Sequence, residues 1–111
     1  MTTRIPEIRP EDMATWCAIL SDDNAIHLSR EAAEAAGFGP RRVNPGPANL
    51  AWLLSLAGDD IASVDARFAG NVFEGDDLEA EIGAPDPEGR RSARLTRGDE
   101  VLVSAVIRGR G

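Results

Sequence analysis

Polar and apolar residues change their period about halfway along this chain. Met13, Trp16, Cys17 and Leu20 recur at helical spacing behind Pro10, a residue suited to a first helical turn, so residues 10–20 predict an amphipathic helix. Residues 21–28 show no period and read as a loop, after which Ser29 can cap a short alanine-rich helix that stops at Gly37. A second loop reaches Pro47. Residues 47–57 are then apolar on nearly every side, with Gly58 as a stop, which predicts a buried helix.

Beyond Gly58 the period becomes two. Ala62, Val64, Ala66 and Phe68 alternate with Ser63, Asp65, Arg67 and Ala69, and Leu78, Ala80 and Ile82 alternate with Glu79 and Glu81. A turn over residues 84–89 leads into a third strand near 90–96, and Arg97-Gly98-Asp99 turns into a fourth over 101–107. Ile5 to Ile8 is expected to add an edge strand. One buried helix followed by consecutive antiparallel strands predicts an α+β domain whose sheet curls around that helix.

Composition narrows the partners. A chain of 111 residues without a compositional break fits one domain, residues 1–111, and its aromatic-poor core favours association with a second copy. A net charge of −7 disfavours nucleic acid and anionic membranes, which bind through clustered cations. All 12 basic residues are arginine, a bias of genome composition rather than of mechanism. No apolar run approaches the roughly 20 residues of a membrane span and no leader pattern opens the chain, so a cytoplasmic protein is expected. Cys17 is the lone cysteine and lies in an apolar stripe, as a buried thiol would.

Chemistry concentrates in Ser21-Asp22-Asp23-Asn24-Ala25-Ile26-His27. The only histidine stands five residues after an aspartate. A carboxylate held beside an imidazole makes a pair able to pass a proton near neutrality. The same two residues also suit a loop-stabilising hydrogen bond, as Asn24 suits an Asx turn. One His and one Cys offer no metal-ligand cluster, so no metal is expected.

That segment resembles the Gly-Asp-x-Asn-Pro-aliphatic-His motif of the MaoC-like hotdog family, the (R)-specific enoyl-CoA hydratases and related 3-hydroxyacyl dehydratases. Ser21 stands for the glycine and Ala25 for the proline. Ala32 to Phe38 is similar to the family's small helix and Gly-Phe pair, Gly46 to the glycine opening its central helix, and residues 67–78 to its Phe, Pro-Val-aliphatic and Gly-Asp-x-aliphatic segment. The family's His-Gly-Met at that helix reads Pro45-Gly46-Pro47 here, which alters the pocket rim.

The resemblance implies a hotdog fold, a homodimer, and a hydro-lyase whose Asp22 and His27 activate water for addition to a 2-enoyl thioester. It implies no cofactor beyond the coenzyme A or phosphopantetheine of the substrate, with an acyl-carrier protein as the alternative handle. The Gly46 amide, or that of Ala48, is the candidate oxyanion donor, since Pro47 has no N–H. Asn24 is a further candidate for fixing the loop or orienting the reacting groups. Three rivals use the same scaffold: a thioesterase, disfavoured because residues 47–57 hold no Asp or Glu; a dehydratase or cyclase of a polyketide-like intermediate; and a non-catalytic acyl-binding partner subunit.

Overall fold

Local sequence signals set most of the elements seen in a computed structural model, which describes residues 1–110. The order is β1 (Thr2–Arg4), α1 (Pro10–Leu20), a 3-10 turn (Ala25–His27), α2 (Arg30–Ala35), α3 (Gly46–Ala57), β2 (Ser63–Phe68), β3 (Glu79–Ile82), β4 (Arg90–Arg97) and β5 (Glu100–Arg108). Pro10 opens α1 with Glu11 and Asp12 in its first turn, where acidic groups meet the positive end of the helix dipole. Ser29 caps α2 by accepting the Ala32 N–H. Gly58, at φ 96°, ends α3 in a conformation that side chains disfavour.

The strands form one antiparallel sheet in the order β1-β3-β4-β5-β2. Helix α3 lies against β3, β4 and β5. Leu53 of α3 and Leu78, Leu95, Leu102, Val103 and Ile107 from the sheet side are fully buried in one core cluster, joined by Met13 of α1. The expected α+β wrapping of a sheet around a helix is therefore observed.

Three expectations are corrected. The edge strand is Thr2–Arg4, paired with β3, rather than Ile5 to Ile8; Ile5 and Ile8 plug the core just after it. Helix α3 is not buried all round: only Ala48, Asn49 and Leu53 are buried, because the sheet covers one side and Leu50, Trp52 and Leu54 stay half-exposed. Strand alternation also fails at Leu102 and Val103, neighbours that are both buried. The register slips between Leu95 and Thr96, so Leu102 is the extra residue of a bulge. Its carbonyl accepts from Ala69 and Gly70, and a Cβ on Gly70 would come within 2.8 Å of the Leu102 side chain, which explains that glycine.

Two buried carboxylates tie the long loops to this frame. Glu74 accepts from Arg30 Nε at 2.8 Å and Nη2 at 3.1 Å, and from the Arg42 backbone N–H at 3.0 Å and Nη1 at 3.1 Å. Asp76 binds Arg41 and Arg97, whose guanidiniums both face the Phe73 ring. The Arg30 hydrogen bond, followed by the Arg42 contacts, holds the Glu74 carboxyl down from 4.5 to about 2 against the opposing effect of burial. A depressed folded-state pKa adds stability that is complete above the ordinary value and lost as pH falls through the folded one. Lowering pH from 4.5 towards 2 should therefore destabilise the protein. A Glu74→Gln variant is expected to lose about 2 kcal/mol at neutral pH and to lack that part of the acid transition, as read by urea unfolding at several pH values. Equal acid profiles for the two proteins would contradict the assignment.

Candidate active site

Helix α1 and the 42–44 segment converge on the loop that carries Asp22 and His27. The loop begins with Ser21 at φ 53°, the one non-glycine with positive φ among the described residues. This left-handed turn lets the Asp22 N–H reach back to the Cys17 carbonyl at 2.9 Å. The resembled motif has glycine at this position, and the backbone supplies the reason. Ser21→Gly should raise stability by about 1 kcal/mol in thermal unfolding, whereas a loss would mean that the serine side chain holds the turn.

The Asp22 carboxylate divides its work. Oδ1 accepts the Asn24 N–H at 3.0 Å, and Oδ2 faces His27 Nε2 at 3.2 Å. The other imidazole nitrogen, Nδ1, lies 2.7 Å from the Val43 carbonyl. A carbonyl only accepts, so Nδ1 carries a proton and Nε2 is the nitrogen whose proton can come and go. Val43 also donates its N–H to the Ile26 carbonyl at 3.0 Å, so one residue holds both the 3-10 turn and the ring. The His27 side chain is 10% exposed and that of Asp22 is 35% exposed, leaving the carboxylate edge open to a ligand.

Asn24 stands at the head of the 3-10 turn, where its Oδ1 accepts the Ile26 N–H at 3.3 Å. Its side-chain oxygen thus stabilises the loop, and its NH2 group is left available to a ligand. Gly46 opens α3 three residues after Val43. Its N–H has no acceptor among the described residues, while the Ala48 N–H is taken by the Pro45 carbonyl at 3.1 Å. Of the two amides considered from sequence, Gly46 is therefore the free one. The Phe68 ring flanks it, 3.7 Å from where a Gly46 Cβ would stand, and is itself 51% exposed.

Sequence reasoning missed the Val43 carbonyl, which no side-chain motif can signal. It also missed that Arg41 and Arg42 are bound to Asp76 and Glu74, a pairing set by tertiary structure. Burial, with Asp22 adding to it, pushes the Cys17 thiol up, as suits a thiol packed in the apolar stripe of α1. Among the described residues no three His, Cys, Asp or Glu side chains converge as metal ligands, and no helix is long and apolar enough to cross a membrane. A cleft of about 530 Å³ runs between α1 and α3, with Trp16, Trp52, Ala48 and Asn44 in its wall; Asp22, His27 and Gly46 do not line it.

No protein-family model matches this chain. No curated protein matches it in sequence. Solved structures do. The (R)-hydratase from A. caviae involved in PHA biosynthesis superposes with a TM-score of 0.81 at 21% identity, over 96% of this chain and 91% of that one. R-Hydratase PhaJ1 from Pseudomonas aeruginosa gives 0.80 at 21% identity, over 96% and 77%. The 3R-hydroxyacyl-ACP dehydratase complex HadBC from Mycobacterium tuberculosis, truncated at a C terminus, gives 0.67 at 22% identity, over 96% and 92%. The fold is therefore the hotdog fold, an α+β sheet wrapped around a central helix.

Proposed function

We propose that this protein is a MaoC-like hydro-lyase that adds water to 2-enoyl thioesters or removes it from 3-hydroxyacyl thioesters. The observation that carries this reading is the orientation of the pair: His27 Nε2 meets Asp22 Oδ2 at 3.2 Å while Nδ1 is fixed on a backbone carbonyl. A water held by both groups can lose a proton to Nε2 as its oxygen bonds to C3. The C2=C3 electron pair moves towards the thioester, and a proton is returned from the pair to C2. Dehydration runs these steps backwards. Water is the only co-reactant, and the proton removed balances the one supplied.

Negative charge collects on the thioester oxygen during attack. The unpaired Gly46 N–H, at the positive end of α3, is suited to receive it. Asn24 keeps the loop in register for Asp22. No metal or redox group enters the reaction; coenzyme A or a phosphopantetheine arm belongs to the substrate. Mixing the purified protein with 2-enoyl-CoA esters of increasing length should bleach the enone absorbance. Bleaching only with carrier-bound acyl groups would assign the handle to an acyl-carrier protein, and none with either would point to an acyl-binding subunit.

The working unit is proposed to be a homodimer. Strand β2 presents an unpaired outer edge of six residues, and Leu50, Trp52 and Leu54 of α3 are only partly covered within one chain. Two similar structures from Mycobacterium tuberculosis, HadBC and ChsH1-ChsH2, are described as complexes. Sedimentation should give a particle of two chains; a monomer that turns substrate over would overturn this part of the account.

A further inference from the structure

A buried amide pair lies outside the chemistry described so far. Asn44 Nδ2 donates to Asn49 Oδ1 at 2.6 Å, with the two residues 5% and 3% exposed. Their mutual hydrogen bond offsets the cost of burying two amides, and what that bond joins is informative. Asn44 follows directly on Val43, the residue whose carbonyl holds His27 Nδ1, and its own N–H donates to Val72 at 2.7 Å. Asn49 belongs to the first turn of α3, which Gly46 opens, and its N–H reaches the Pro45 carbonyl at 3.3 Å.

Between these two asparagines the backbone is poor in donors. Pro45 and Pro47 have no N–H, and the Gly46 N–H has no partner within the described chain. The rim Pro45-Gly46-Pro47, between the Asn44 N–H bound to Val72 and the Ala48 N–H bound to Pro45, therefore donates no backbone hydrogen bond of its own. The Asn44–Asn49 bond spans that stretch.

We infer that Asn44 and Asn49 are positioning residues: their side-chain bond braces the Pro45-Gly46-Pro47 rim and fixes the Gly46 amide relative to His27. The inference rests on the hydro-lyase reading for its effect on turnover, but not for its effect on the imidazole. Because His27 is the only histidine, its ring nitrogens give unambiguous NMR signals. In the wild type these should report a proton resident on Nδ1.

In Asn49→Leu the Val43 carbonyl is expected to loosen, so the two nitrogen shifts move towards each other as tautomers mix. Turnover should fall roughly 10- to 100-fold in kcat, with KM changed by less than about threefold. Asn49→Asp keeps an acceptor at the same position and should restore both. Should Asn49→Leu fail to fold, Asn49→Ser, too short to reach Asn44, carries the same comparison. Ring shifts that match the wild type in a folded Asn49→Leu or Asn49→Ser protein overturn the brace, whatever happens to turnover. A wild type without turnover overturns the hydro-lyase reading, and the ring shifts still decide the brace.

Discussion

Substituting Asp22→Asn or His27→Asn should lower kcat for enoyl-thioester hydration roughly 10³-fold, within the range usual for loss of a positioned acid or base. Both replacements preserve the local frame. An asparagine at 22 still offers Oδ1 to the Asn24 N–H, and an asparagine at 27 carries an Nδ2 donor where Nδ1 meets the Val43 carbonyl but nothing in place of Nε2. Loss of turnover with unchanged unfolding curves would therefore come from the reacting atoms, Oδ2 and Nε2. The double variant should be little worse than either single one, because two groups that act on one water are not additive. Full activity in either folded variant would remove the pair from the mechanism.

The second large effect is expected at Gly46. Gly46→Pro removes the free N–H and should lower kcat by about 10²- to 10³-fold, the usual cost of losing an oxyanion donor. Proline is tolerated at the start of a helix, where its missing N–H breaks no helical bond. Gly46 does not occupy a positive-φ conformation, and a Cβ there would meet only the Phe68 ring at 3.7 Å, an ordinary contact. Gly46→Ala separates two roles of this residue. It keeps the N–H, so its loss of activity measures how closely the thioester must approach the backbone. Equal activity of the proline variant and the wild type, with folding intact, would assign the oxyanion to another donor.

The extent to which the chain disclosed all this varies with the range of the interactions involved. Short-range signals were legible: Pro10, Ser29 and Gly58 mark helix ends, and Glu79 to Ile82 alternates as a half-buried strand does. Asp22 and His27 stood out because one loop contains both, and the structure brings them together. Long-range effects were not legible. The bulge at Leu102 interrupts a pattern that otherwise keeps a period of two, and it depends on how residues 69 and 70 pair with that strand. Ile5 to Ile8 looked like a strand because isoleucine suits strands, yet both isoleucines serve the core beyond the paired segment. Residues 47–57 read as apolar on nearly every side, and the role of Asn49 among them emerges only once the loop has folded back to bring Asn44 to it.

Similar reasoning separates fold from chemistry. The structural neighbours, at about 21% identity, fix the wrapping of the sheet around α3 and carry no residue roles with them. The roles rest on this chain's own geometry: a histidine with one nitrogen committed to Val43 and the other facing a carboxylate, near a helix whose first amide is unpaired. That combination defines proton transfer to and from a single water as the central claim.

Mass spectrometry of the product formed from crotonyl-CoA in heavy-oxygen water tests it most directly. The account predicts one heavy oxygen in a 3-hydroxyacyl thioester whose thioester bond is intact, and no incorporation with the folded Asp22→Asn protein. Label appearing instead in a free carboxylic acid would identify thioester cleavage and contradict the assignment of this site to water addition.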